Sequence, residues 1–116
     1  MKMIDRIRKV RETQDAREFV EVWNRCQGDE SRMTTLDAVM LTNRGVRLNR
    51  AIQEQVAEHI HDLCPGGSVH PTRARLLALE VSRARDRALT KEFPEFVAFL
   101  AWVKDVLTER RETAAG

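Results

Sequence analysis

The sequence lacks the features that mark exported or membrane-embedded proteins. Two cysteines among 116 residues are too few for a disulfide scaffold, which makes a reducing compartment the simpler setting. The longest uncharged apolar run, 96–103, falls far short of the roughly 20 residues that cross a bilayer. The first six residues also lack the apolar stretch of a signal peptide. We therefore expect a cytoplasmic protein that does not enter a membrane.

Signals of β-structure are missing as well. The sequence has no tyrosine, no sustained alternation of polar and apolar residues, and no Asn-Gly or Asp-Gly pair to form a tight hairpin. Its five glycines and three prolines instead separate segments whose apolar residues recur every three or four positions. No Ser-, Gly- or Pro-rich linker divides the chain. The sequence predicts one all-α domain over 1–116, a compact bundle of five or six helices without a sheet, whose tail at 109–116 frays.

The first segment, 3–26, is expected to be helical. Apolar residues recur there at helical spacing in two stripes, and the polar stretch between them fits either two helices or one bent helix. Asp15 and Glu18 lie at the end of that stretch and resemble a helix-capping pair. The sequence leaves both alternatives open.

Further helix boundaries follow from capping and helix-breaking residues. Thr34 and Asp37 have the spacing of a capping box, which predicts the start of a short helix. Asn43-Arg44-Gly45 is expected to interrupt that helix before a longer one, which ends at Cys64-Pro65-Gly66-Gly67. Two more helices should begin at prolines, Pro71 and Pro94.

The helix predicted after Pro94 has apolar residues over most of its circumference. One stripe consists of Phe93, Phe96, Val97, Leu100, Val103 and Leu107, and a second consists of Phe99, Trp102 and Val106. A helix in a small bundle normally buries one stripe, so either this helix lies centrally among the others or its second stripe contacts another protein. We predict the second arrangement: a non-enzymatic interaction module that self-associates or binds a protein partner through Phe99, Trp102 and Val106, with Lys104 and Asp105 at the rim.

The distribution of arginine supports an alternative function. The net charge is only +2, but the basic residues are 16 arginines and 4 lysines, and residues 38–91 hold nine basic against five acidic side chains. Because arginine binds phosphate in bidentate fashion, these residues could hold a nucleic-acid backbone. No aromatic residues interleave with them, and Arg44 and Glu54 do not fit a helix-turn-helix, so base readout is not indicated. The alternative is phosphate binding through Arg44, Arg47, Arg50 and Arg73, while ordinary solvation of helix surfaces by arginine also stays open.

Metal binding and catalysis find little support. His59, His61, Cys64 and His70 fall within twelve residues, but His59 and His61 point to opposite sides of a helix and no paired ligand motif completes a zinc site. No phosphate-binding glycine loop is present. Cys64 precedes a proline at a helix end and so lacks the helix N-terminus that activates a nucleophilic thiol. We expect no metal, no cofactor, no small-molecule substrate and no enzymatic activity.

Overall fold

Five α-helices make up the computed structural model, which describes residues 1–64, 66 and 70–115, with side chains described through residue 109. The helices are α1 (Met3–Arg11), α2 (Gln14–Cys26), α3 (Thr35–Leu63), α4 (Pro71–Glu92) and α5 (Pro94–Ala115), with a 3₁₀ turn at Glu30–Arg32. No strand occurs in these described residues. The prediction of an all-α bundle of five or six helices without a sheet is confirmed.

The first segment forms two helices, and the residue that caps the second is Thr13. Its hydroxyl accepts a hydrogen bond from the backbone N–H of Ala16 at 3.3 Å and donates one to the Val10 carbonyl at 2.7 Å. Satisfying both helix ends with one side chain stabilises the break between α1 and α2. The expectation that Asp15 and Glu18 cap this helix is wrong, because both lie inside α2.

The predicted start of α3 is confirmed, but its predicted interruption is wrong. The Thr34 hydroxyl accepts from the Asp37 N–H, and the Asp37 carboxylate accepts from the Thr34 N–H, each at 3.1 Å. From this capping box α3 runs for 29 residues without a break at Asn43–Gly45. Gly45 serves packing instead, since a Cβ at this position would lie only 2.7 Å from Cε1 of Phe99.

The two predicted proline starts are confirmed. Pro71 opens α4, where His70 caps the helix by accepting from the Thr72 N–H at 3.3 Å, and Pro94 opens α5. Helix α3 ends at Leu63, as expected, while Pro65 and Gly67 of the predicted stop lie outside the described residues. The backbone of α5 is helical through Ala115, beyond the point at which we predicted fraying.

An aromatic cluster from three parts of the chain forms the centre of the core. The Phe19 ring on α2 lies edge-on to Phe99 of α5 at a centroid distance of 5.1 Å and to Phe93 at 6.1 Å. Edge-to-face pairs of this kind add to the stabilisation from burying the rings themselves. Aliphatic residues of α1, α3 and α4 surround the cluster: Ile7, Val10, Leu41, Leu48, Ile52 and Val81.

The bundle is flat, and this shape leaves much of it exposed. Its extents are 49 × 38 × 20 Å and its radius of gyration is 16.7 Å, whereas a spherical domain of this length has a radius of gyration of about 13 Å. Its accessible surface is 8163 Å². That exceeds by about 1,700 Å² the roughly 6,500 Å² typical of a monomer of 13.4 kDa.

Candidate interaction surfaces

The structure separates the three residues predicted to contact a partner. Phe99 is only 6% exposed, because its ring fills the space beside Gly45 and packs against Phe19. The prediction that Phe99 faces a partner is therefore wrong. Trp102 is half-buried, with its ring 6.4 Å from Trp23, and Val106 is half-buried farther along α5.

The two stripes of α5 are not buried as their spacing suggested. Phe93 and Phe96 of the first stripe are buried, but Leu100 and Leu107 of the same stripe are 43% and 51% exposed. Phe99 of the second stripe lies in the core beside Gly45 of α3, whereas Leu100, the next residue, and Leu107 are exposed. Helix α5 thus has exposed apolar residues on a side that we expected to be core.

Another exposed apolar surface lies on the first half of α3. We call it the outer α3 face and define it by Leu36, Val39 and Val46. These side chains are 69%, 57% and 57% exposed. Val39 and Val46 are seven residues apart, about two helical turns, and therefore lie on one side of the helix. The same side forms a shallow groove, whose lining residues are Thr35, Ala38, Val39, Thr42, Asn43, Val46, Arg47 and Arg50.

Trp102 borders this face. A small hollow beside its ring is lined by Met33, Thr34, Thr35 and Ala38 as well as Glu30. Thr35 and Ala38 also line the groove on α3, so the hollow and the groove adjoin each other. Sequence reasoning missed the outer α3 face because a helix broken at Gly45 would not have placed Val39 and Val46 in register.

The four arginines predicted to bind phosphate do not form one site. Arg44 donates from Nε to Glu18 at 2.7 Å and lies 3.6 Å from Asp15, which also lies 3.6 Å from Arg47. The hydrogen bond from Arg44 lowers the pKa of the Glu18 carboxyl, so this pair stays charged. Arg50 is exposed on α3, and Arg73 is on α4. Two of the predicted phosphate ligands are therefore neutralised by acids of α2.

Helix α4 carries a second exposed surface, which we call the basic α4 face and define by Arg73, Arg75, Arg83 and Arg87. All four side chains are exposed. Within the described part of the chain, no carboxylate lies within ion-pair distance of any of them. Of this set the sequence hypothesis contained only Arg73. Because Val81 and Ala88 are buried in the core, the opposite side of α4, where the four arginines lie, faces solvent.

The described residues show no arrangement typical of a metal centre. No group of three or more His, Cys, Asp or Glu side chains converges there. Cys64 and His61 line an open groove between the end of α3 and the start of α4, together with Ala57, Ile60, Ala74, Leu77 and Ala78. Cys26 is buried, with its Sγ 3.8 Å from the Asp37 carboxylate.

Among the helices that the structure describes, none combines the length and apolar character needed to cross a bilayer. The chain matches no protein-family model, no curated protein and no solved structure. The surfaces themselves therefore provide the basis for a functional proposal.

Proposed function

We propose that this protein is a non-enzymatic interaction module that binds a protein partner through the outer α3 face, with Trp102 at its edge. The observation that carries the proposal is the exposure of Leu36, Val39 and Val46 on a single helix side. Soluble monomers seldom leave a contiguous group of large apolar residues in water, since covering it with a partner is favourable.

The exposed area of the whole molecule is consistent with such an interface. A standard protein–protein interface buries about 800 Å² on each partner. The accessible surface of this chain is about 1,700 Å² larger than that of a compact monomer of the same mass. The flat bundle could therefore bury the area of one standard interface and still expose at least as much surface as an ordinary monomer.

The form of the groove favours a helix or other extended apolar segment as the bound element. The groove follows one side of α3 from Thr35 to Arg50 and is open to solvent along its length. Grooves of this kind take an amphipathic helix whose anchors recur every three or four residues. A catalytic site or a small-molecule pocket is typically an enclosed cavity with converging polar groups, and this open groove does not have that form.

The basic residues nearby do not change this preference. Arg47 is near Asp15, and Arg44 is bound to Glu18, so the acid-free character of residues 38–53 in sequence does not persist in three dimensions. The apolar residues between Thr35 and Arg50 are therefore the main feature of this face. Phosphate binding at Arg44, Arg47 and Arg50 has less support than protein binding.

The experiment is site-specific photocrosslinking in the native cell. A photoreactive amino acid replaces Val46 in one variant and Asn24, an exposed residue of α2, in a control. We expect a discrete crosslinked protein from position 46 and none from position 24. The crosslink should disappear when Val39→Glu is added, because a buried carboxylate is costly to desolvate.

Folding and self-association are checked on the purified protein. Val39→Glu and Val46→Glu should change the free energy of unfolding by no more than about 0.5 kcal/mol, as is usual for exposed sites. Light scattering shows whether the crosslinked partner is a second copy of the chain. Equal crosslinking from positions 24 and 46, or a crosslink that survives Val39→Glu, would contradict the proposed function.

A further inference from the structure

The arginines of the basic α4 face have no carboxylate within ion-pair distance among the residues that the structure describes. We propose that this face binds the phosphate backbone of a nucleic acid through Arg73, Arg75, Arg83 and Arg87. The site is on a different helix from the outer α3 face and does not depend on protein binding there.

The four arginines share the solvent-facing half of α4. With about 100° between successive residues, they fall within an arc of roughly 160°, opposite the core residues Val81 and Ala88. Arg73 and Arg87 are 14 positions apart, which corresponds to about 21 Å along the helix axis. This is long enough for several guanidinium groups to contact successive phosphates of one strand.

All but one of the neighbouring acids form ion pairs with residues outside the basic α4 face. Asp86 binds Arg85 at 3.2 Å, and Glu92 accepts from Arg8 of α1 at 2.8 Å. On α3, Glu58 is bound at 3.2 Å by Arg6, which also binds Asp62. Glu80 is the only other acid in α4 and has no ion pair with the arginines around it in the described part of the chain. Four arginines against Glu80 leave the face with an excess of three positive charges.

The chemistry of this face favours phosphate over an apolar protein helix. Leu76 and Leu79 are its exposed apolar residues, and they lie within one turn of each other, whereas a docked helix needs anchors spread over several turns. Arginine forms bidentate hydrogen bonds with phosphate oxygens. No aromatic residue lies in α4, so stacking on bases is not available and the contacts fall on the backbone.

The test is fluorescence anisotropy with a labelled 20-base-pair DNA duplex of arbitrary sequence, measured as a function of salt. Four phosphate contacts predict a slope of about −3.6 in log affinity against log salt, which is about a 150-fold loss between 50 and 200 mM. A second duplex of different sequence should bind within about threefold, because backbone contacts carry no base information.

The variant Arg83→Glu/Arg87→Glu should bind at least tenfold more weakly and should reduce the slope by about two contacts, to about −1.8. Arg83→Lys/Arg87→Lys should keep the slope, since the charge is retained. The matched control is Arg17→Glu/Lys104→Glu, which changes the net charge equally at exposed residues of α2 and α5. Circular dichroism confirms that all variants are folded.

Three results would overturn the proposal. One is no binding of the duplex at 50 mM salt, and another is an equal loss in the control variant, which would reflect net charge alone. The third is equally tight, Arg83-dependent binding of polyglutamate, which would assign the face to acidic proteins. None of these results bears on the crosslink from Val46, so the two functions fail separately.

Discussion

The contact between Gly45 and Phe99 provides the sharpest test of the fold. Replacing Gly45 by alanine adds a Cβ that would lie 2.7 Å from Cε1 and 3.0 Å from Cζ of the Phe99 ring. The ring has little room to move away, since Phe19 lies edge-on to it at 5.1 Å and Trp23 at 6.0 Å. The substitution therefore overfills a packed part of the core.

Two opposing effects determine the outcome. Alanine in a helix interior is favoured over glycine by about 1 kcal/mol. Overpacking a core typically costs about 1–3 kcal/mol. We expect packing to dominate and Gly45→Ala to lower the free energy of unfolding by about 1 kcal/mol, a fall of about 4 °C in the melting temperature for a chain of this size.

The sign of the effect should reverse when the ring is removed. Phe99→Leu is itself destabilising, but it deletes the atoms that the new Cβ meets. In that background Gly45→Ala should raise the free energy of unfolding by up to about 1 kcal/mol, which reflects helix propensity alone.

Urea unfolding of the four proteins in this double-mutant cycle measures the coupling. The difference between Asn49→Gly and Asn49→Ala, at an exposed position of α3, gives the glycine-to-alanine propensity effect without a packing change. If Gly45→Ala stabilises the protein with Phe99 in place, the packing role that we assign to Gly45 is refuted.

Two further predictions concern the start of α3 and the acid stability of the bundle. Thr34→Ala should destabilise the protein by about 1 kcal/mol in urea unfolding, because it removes the acceptor for the Asp37 N–H. The control Thr35→Ala changes the neighbouring residue, which has no capping role, and should have a smaller effect. Equal effects of the two substitutions would argue against the cap. The hydrogen bond from the Thr34 backbone N–H lowers the pKa of Asp37, and the hydrogen bond from Arg8 lowers the pKa of Glu92. Because both pKa values are depressed in the folded state, the stabilisation is present above about pH 4 and is lost as the pH falls through the folded values. Urea midpoints should therefore be nearly constant from pH 7 to 5 and fall below pH 4, with a smaller fall in Asp37→Asn; a midpoint independent of pH from 5 to 2 would contradict this account.

Local chemistry was sufficient to predict much of the fold. The capping box at Thr34 and Asp37 and the prolines at positions 71 and 94 determine helix starts through hydrogen bonds and dihedral angles within a few residues. The same kind of reasoning failed at Gly45. A glycine inside a helix has the same local signature whether it ends the helix or admits a ring from a distant segment.

The interaction surfaces could be predicted less well, because exposure depends on which helices pack together. The spacing of Phe99 and Trp102 showed that α5 is apolar on two sides, but only the position of α3 decides that Phe99 is enclosed while Leu100 is not. Arg44 had no acid near it in sequence, yet the fold places Glu18, 26 residues away, at its guanidinium.

The sequence alone determined that this chain is helical and where most of its helices begin, since those properties depend on neighbours three or four residues apart. Only the tertiary structure decided that Gly45 lies inside one long helix, that Val39 and Val46 face solvent, and that four arginines of α4 share its exposed side. These properties arise from contacts between residues far apart in the chain, and the pattern within any one helix is compatible with several such arrangements.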